Sequence, residues 1–187
     1  MNTISTPLQR RALCAWLAFG AAPACSRDVP GQVLVLRHAA TDPGVGDPEG
    51  FRLDQCSTQR NLSPAGREQA LAIGRKLRAR GWVPREIRSS RWCRCLDTAS
   101  HIAEGLGAAP RPQPWPALDS FFGARDSEAA QTALLRERLA ANPGAGFELW
   151  VTHQVNITAL TGRTVAMGEG LWLAGSARGE IDAHPFD

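Results

Sequence analysis

The chain has 187 residues, 43% of them hydrophobic and including six tryptophans and six phenylalanines, which is enough for one domain with a sizeable core, and no linker divides it. The formal charge of +3 overstates the body: Arg10 and Arg11 are the only charges in the first 24 residues, and without them 19 basic residues face 18 acidic ones. So near neutrality, the body excludes a general phosphate-backbone surface; nucleic acid is not an expected partner, and any anion recognition has to be local.

The first 24 residues have the layout of a secretory leader. A polar start carries Arg10 and Arg11, an apolar stretch runs from Ala12 to Ala22, and small residues close it at Ala22-Pro23-Ala24. The stretch is too short to span a bilayer. Cleavage after Ala24 is the simplest outcome; it leaves 25–187 as a single domain in the periplasm or otherwise exported. The paired arginines also fit twin-arginine export, and Cys25 fits a lipidated N-terminal cysteine, the one route to a membrane. A cytosolic N-terminal extension is the alternative. In an oxidising compartment one pair among Cys56, Cys93 and Cys95 would form a disulfide, and their spacing does not choose which. Cys93 and Cys95 resemble half a metal clip, but no second pair stands at zinc-site spacing, so neither metal nor cofactor is expected.

The run GQVLVLRHA reads as a strand buried on both faces, ending at Arg37-His38. Ala39 to Asn61 is rich in Gly, Pro and Asp without a sustained period, the pattern of a long functional loop. Ser63 then caps a helix with Pro64 in its first turn; Ala70, Ile73, Gly74 and Leu77 share its inner face, Arg75, Lys76, Arg78 and Arg80 its solvated one, and Gly81 stops it. EIRSS is a short strand, and RWCRCLDTASHIAEGLG a helix ending near Gly105 or Gly107. RPQPWPALDSFFGARD is proline-punctuated and loop-like. SEAAQTALLRERLAANPG predicts a helix with Leu134, Leu135 and Leu139 inward and Asn142-Pro143-Gly144 as its stop. FELWVTHQVNITALTG repeats the opening theme, a strand with His153 at its exit and a helix from about Val155. EGLWLA and ARGEIDA close the chain as strands, a hairpin across Gly175. Alternating strands and helices predict an α/β layered domain, whose ligands sit beyond the carboxyl ends of the strands. His38 and His153 both fall at that edge.

LRHAAT, LSPAG, SSRWCRCLDTA and LWVTHQVN, in that order and at those separations, resemble the histidine phosphatase superfamily, branch 1, over residues 32 to about 175. The resemblance implies a phosphoglycerate-mutase-like fold: a three-layer αβα sandwich on a mostly parallel central sheet. It places the family's Arg-His pair on Arg37 and His38, the following threonine on Thr41, the pocket arginine on Arg94 and the second histidine on His153, with Arg91 where a proline is usual. Asp119, four residues before Gly123, matches the proton-donating carboxylic acid, with aspartate in place of the commoner glutamate. Arg60, Asn61 and Asn156 are further candidates for binding substrate, and Gln154 for narrowing the site.

These residue types suit phosphoryl transfer, where catalysis is mostly positioning and charge stabilisation. Arg37 and Arg94 offer planar forks for bidentate phosphate contact. His38, neutral and fixed in one tautomer by a backbone carbonyl, would attack phosphorus and form a phosphohistidine that water opens. His153 would be a second donor, and the helix behind it aims backbone N–H groups at an anion. The expectation is an exported, acid-type phosphomonoester hydrolase acting on a small phosphorylated substrate. CSTQRNLSPAGR and HQVNITALTG look like an exported proteobacterial group that includes lipopolysaccharide heptose-phosphate phosphatases, which implies an envelope phosphosugar. The alternatives are a phosphomutase and a non-catalytic module that binds phosphorylated ligands. Oligomeric state leaves no mark in the sequence.

Overall fold

The computed structural model describes residues 29, 32–44, 46–141, 146–176 and 179–187. The leader, Cys25 and the expected stop at Asn142-Pro143-Gly144 lie outside them. Six strands form one sheet: β1 (Val33–Arg37), β2 (Glu86–Ser89), β3 (Gln113–Pro114), β4 (Glu148–Thr152), β5 (Gly170–Gly175) and β6 (Ile181–Pro185), in the order β3-β2-β4-β1-β5-β6. The first four of that order run parallel, and β5 and β6 antiparallel, so the sheet is mostly parallel as expected.

The helices α1 (Pro64–Ala79), α2 (Cys93–Leu106), α3 (Glu128–Ala140) and α4 (Gln154–Thr161) complete the layers. Period-2 alternation along β1 sends its side chains to both faces. Leu34 and Leu36 pack with Ala70 and Leu77 of α1 and Ala99 and Ile102 of α2. Val33 and Val35 pack on the other face with Leu135 and Leu139 of α3 and Ile157 and Leu160 of α4. The result is the three-layer αβα sandwich.

α1 begins as its sequence reads, with the Ser63 hydroxyl accepting from Gly66 N–H at 3.0 Å. Two of its glycines are there for close approach. A Cβ on Gly66 would run into the Ala40 carbonyl, and one on Gly74 into the backbone of Ile102 and Gly105, where α1 and α2 cross almost backbone to backbone. That crossing sets where α2, and therefore Arg94, stands.

Three local readings need correction. Leu134 is 49% exposed, because Leu135 and Leu139 at i, i+4 spacing take the inner stripe of α3 and leave Leu134 about 100° off it. The stretch read as loop-like holds the two-residue strand β3, which pairs with β2 at Arg88 and Ser89. The closing hairpin turns beyond Gly175, which itself pairs with Ile181 at the end of the ladder.

Candidate active site

β1 and β4 lie side by side and end together, Arg37 in register with Thr152, so His38 and His153 leave the same edge one residue later. Their ring centroids are 5.5 Å apart. Arg94, second residue of α2, reaches the same point, with Nη2 3.4 Å from Nδ1 of His153. Arg37, His38, Arg60, Arg94 and His153 all line one cavity of about 750 Å³. Five sequence candidates from four separate stretches therefore meet.

His38 is held as its proposed chemistry requires. Its Nδ1 lies 2.9 Å from the Ala39 carbonyl, which can only accept, so Nδ1 carries the proton and Nε2 keeps its lone pair. The turn is tied from two sides: Ala39 N–H donates to Thr98 Oγ1 of α2 at 3.0 Å, and Ser63 N–H to the Ala40 carbonyl at 3.1 Å. Burial pushes the His38 pKa down to about 3, and Arg94, Arg37 and Arg60 push the same way against the Ala39 hydrogen bond. His153 is likewise held well below the usual histidine range, by burial first and then by Arg94. The arginines feel one another too: burial and then Arg94 lower the pKa of both Arg37 and Arg60.

One carboxylate stands in this cationic pocket. Asp47, in the long loop, accepts from Arg94 Nη1 at 2.7 Å, from Trp92 Nε1 at 3.2 Å and from Arg60 N–H at 3.1 Å. Its side chain is almost fully buried. The loop is fastened to α2 by a disulfide between Cys56 and Cys93 and by Cys93 N–H donating to Gln59 Oε1 at 3.0 Å. The sequence left that pairing open. Cys95 remains a buried thiol whose pKa burial pushes up to about 12, so it stays protonated. Among the described residues no group of three or more His, Cys, Asp or Glu is arranged to hold a metal ion.

Four other candidates, Asp119, Thr41, Asn61 and Asn156, lie off the cavity. Asp119 does not line it: Oδ1 accepts from Arg91 N–H at 2.8 Å and Oδ2 from Arg91 Nε at 2.7 Å. A proline at position 91 would supply neither donor, so Arg91 and the turned-away Asp119 belong together. Thr41 is directed at the Met167 sulfur, 3.7 Å away. Asn61 donates to the Cys56 carbonyl at 2.7 Å, and Asn156 to the Asp119 carbonyl at 2.8 Å. Both asparagine side chains are occupied in fastening backbone. Gln154 does line the cavity, with Val155 and the start of α4. Beyond the cationic floor the walls are Phe51, Trp92, Phe122 and Ala124, with Phe122 62% exposed at the rim.

The model of the histidine phosphatase superfamily (branch 1) matches residues 33–132. The chain belongs to that superfamily. Among solved structures, the protein histidine phosphatase SixA complexed with tungstate is 15% identical, with a TM-score of 0.62 over 82% of this chain and 94% of that one. Mycobacterial glucosyl-3-phosphoglycerate phosphatase is 22% identical, with a TM-score of 0.60 over 82% and 97%. YhfR of Bacillus stearothermophilus is 13% identical, with a TM-score of 0.58 over 82% and 95%. These likenesses bear out the fold, and the family supports a phosphatase activity. No curated protein matches the chain.

Proposed function

We propose that the protein is an exported phosphomonoester hydrolase that works through a phosphohistidine on His38. The observation that carries this reading is the Nδ1–Ala39 hydrogen bond beside Arg37 and Arg94, which leaves a neutral ring with its Nε2 lone pair available next to two guanidinium forks. The arginines bind the phosphoryl oxygens, Nε2 attacks phosphorus as the P–O bond to the leaving group breaks, and water then displaces the histidine. Burial first and the arginine field second keep His153 neutral; the dianion opposes that field, so His153 takes a proton on docking and donates to a phosphoryl oxygen. The Cys56–Cys93 disulfide supports export, because such bridges persist in oxidising compartments. The substrate is a small phosphomonoester, with an envelope phosphosugar as the candidate class.

Acid-free quenching of turnover on labelled substrate should trap an acid-labile phosphoenzyme on the wild type and none on His38→Ala. Turnover should fall roughly 10⁴-fold or more in that variant with the fold retained. Substantial turnover without His38 would overturn the mechanism, and a panel of phosphosugars and nucleotides on the mature chain decides the substrate class.

A further inference from the structure

Ser90, at the exit of β2, is fully buried and touches both His153 and Asp119: its Oγ lies 2.9 Å from His153 Nε2 and 3.2 Å from Asp119 Oδ1. A hydroxyl has one proton to give and two lone pairs to receive with. Asp119 is gripped by Arg91, whose Nη2 lies 2.6 Å from Oδ2 and whose N–H and Nε donate to its two oxygens, so it accepts. The Ser90 proton therefore goes to Asp119. One Ser90 lone pair receives Trp92 N–H at 3.3 Å, and the other receives a proton on His153 Nε2. The rest of the ring's surroundings agree. Cys95 Sγ gives its proton to the Thr152 carbonyl at 3.7 Å and so faces Nε2, 3.4 Å away, as a weak acceptor, and Arg94 Nη2, a donor, faces the lone pair on Nδ1.

We propose that Asp119 is a positioning residue that acts through Ser90 on His153, keeping Nε2 protonated and leaving Nδ1 as the ring atom that faces Arg94 and the phosphoryl site. The proposal rests on the phosphoryl-transfer reading for its purpose but not for its geometry. Nε2 keeps its proton and its Ser90 partner whether the ring is neutral or cationic, so proton uptake on phosphoryl docking is confined to Nδ1. The negative end of the line, Asp119, stands two hydrogen bonds from the ring and offsets the positive charge that develops on it. Arg94 depends on the same line, because the Nδ1 lone pair is one of the groups that aims its guanidinium.

The test combines a spectroscopic and a kinetic readout on the full mature chain. Imidazole ¹⁵N spectra of the ligand-free wild type should show His153 as the Nε2–H tautomer, and Ser90→Ala should lose that preference. Asp119→Asn, which keeps the side chain's size, and Ser90→Ala should each lower kcat/KM about 10- to 100-fold, equally for an aryl phosphate and a sugar phosphate. Each should also raise the vanadate inhibition constant, and the double variant should be no worse than the more damaged single one. An Nδ1–H tautomer in the wild type would overturn the proposal. So would an Asp119→Asn variant that spares the activated aryl ester and loses only the sugar phosphate, since that pattern belongs to a proton donor. Absence of a phosphoenzyme would defeat the proposed function and leave the tautomer result standing.

Discussion

The two edges of the sheet carry comparable numbers of arginines and use them in opposite ways. At the amino ends of β2 and β4, Arg85, Arg88 and Arg138 surround Glu86 and Glu148. Glu148, buried, receives Arg85 Nη2 at 3.0 Å and Trp150 Nε1 at 2.9 Å, and Arg138 bridges to Glu86 at 3.0 Å. Burial pushes the Glu148 carboxyl up, but the Arg138 and Trp150 hydrogen bonds outweigh it and hold the pKa below the usual range. In the cavity at the carboxyl ends, three arginines and two histidines share the carboxylate of Asp47 alone among the described lining residues, and the Nε atoms of Arg37, Arg60 and Arg94 have no hydrogen-bond partner among the described residues. Arginines that each meet a carboxylate make a structural clasp; a cationic excess held in place by the fold makes a binding site whose missing partner is an anion.

Deleting one charge at each edge gives the widest separation. Arg37 bonds the Val165 carbonyl at 3.1 Å and no carboxylate. Arg37→Ala should therefore cost kcat/KM on the order of 10²- to 10³-fold, as loss of one preorganised donor does, while the unfolding free energy stays level or rises as cationic repulsion is relieved. Glu148→Ala should do the reverse, lowering the urea unfolding free energy by about 3–5 kcal/mol and sparing kcat/KM of the folded fraction. If both variants lost activity and stability together, the division between the edges would be wrong.

Acid separates the edges by window. His38 has a folded pKa of about 3, below its unfolded 6.5, so the unfolded chain binds the extra proton and stability falls as pH drops below 6.5. The slope from this ring approaches about 1.4 kcal/mol per pH unit and ends near the folded value. Glu148 has a lowered folded pKa, so its contribution is intact above its unfolded pKa of 4.5 and fades only below it. Denaturant titrations between pH 6.5 and 4.5 should then show a slope that His38→Asn reduces, and kcat/KM should show no ascending limb near 6.5.

A smaller effect is expected at Asp47. Its carboxylate occupies Arg94 in the free enzyme, where an incoming anion must compete with it. Asp47→Asn should lower the vanadate inhibition constant roughly 3- to 10-fold, about 1 kcal/mol. An unchanged or higher constant would mean that Asp47 aims Arg94 instead of competing for it.

The strands and helices were legible because burial writes its period into the chain: continuous in β1 and β4, 3.6-fold in α1. His38 and His153 were legible at two strand exits on one edge, and Arg37 and Arg94 because LRHAAT and SSRWCRCLDTA resemble the superfamily's motifs. Asp47 was not, because it sits in an aperiodic Gly- and Pro-rich loop whose course is set by the Cys56–Cys93 bridge and by Gln59. Asp119 was found by its distance from Gly123, which fixes position along the chain but not the direction of a side chain. That direction depends on Arg91, 28 residues away. Ser90 stood inside a recognised motif, and only its two neighbours in space reveal what its hydroxyl does.

The bridge between Cys56 and Cys93 spans 37 residues, and the whole of α1 and β2 lies inside the ring it closes. A protease that cuts at the exposed turn around Gly81, between those two elements, would open the backbone and release nothing. The strand bearing His38 and the helix bearing Arg94 would stay joined through sulfur, with the α1–α2 crossing still holding them in register. If the protein is exported as proposed and meets peptidases there, a nicked molecule and an intact one would carry the same pocket, and they would part only on reduction.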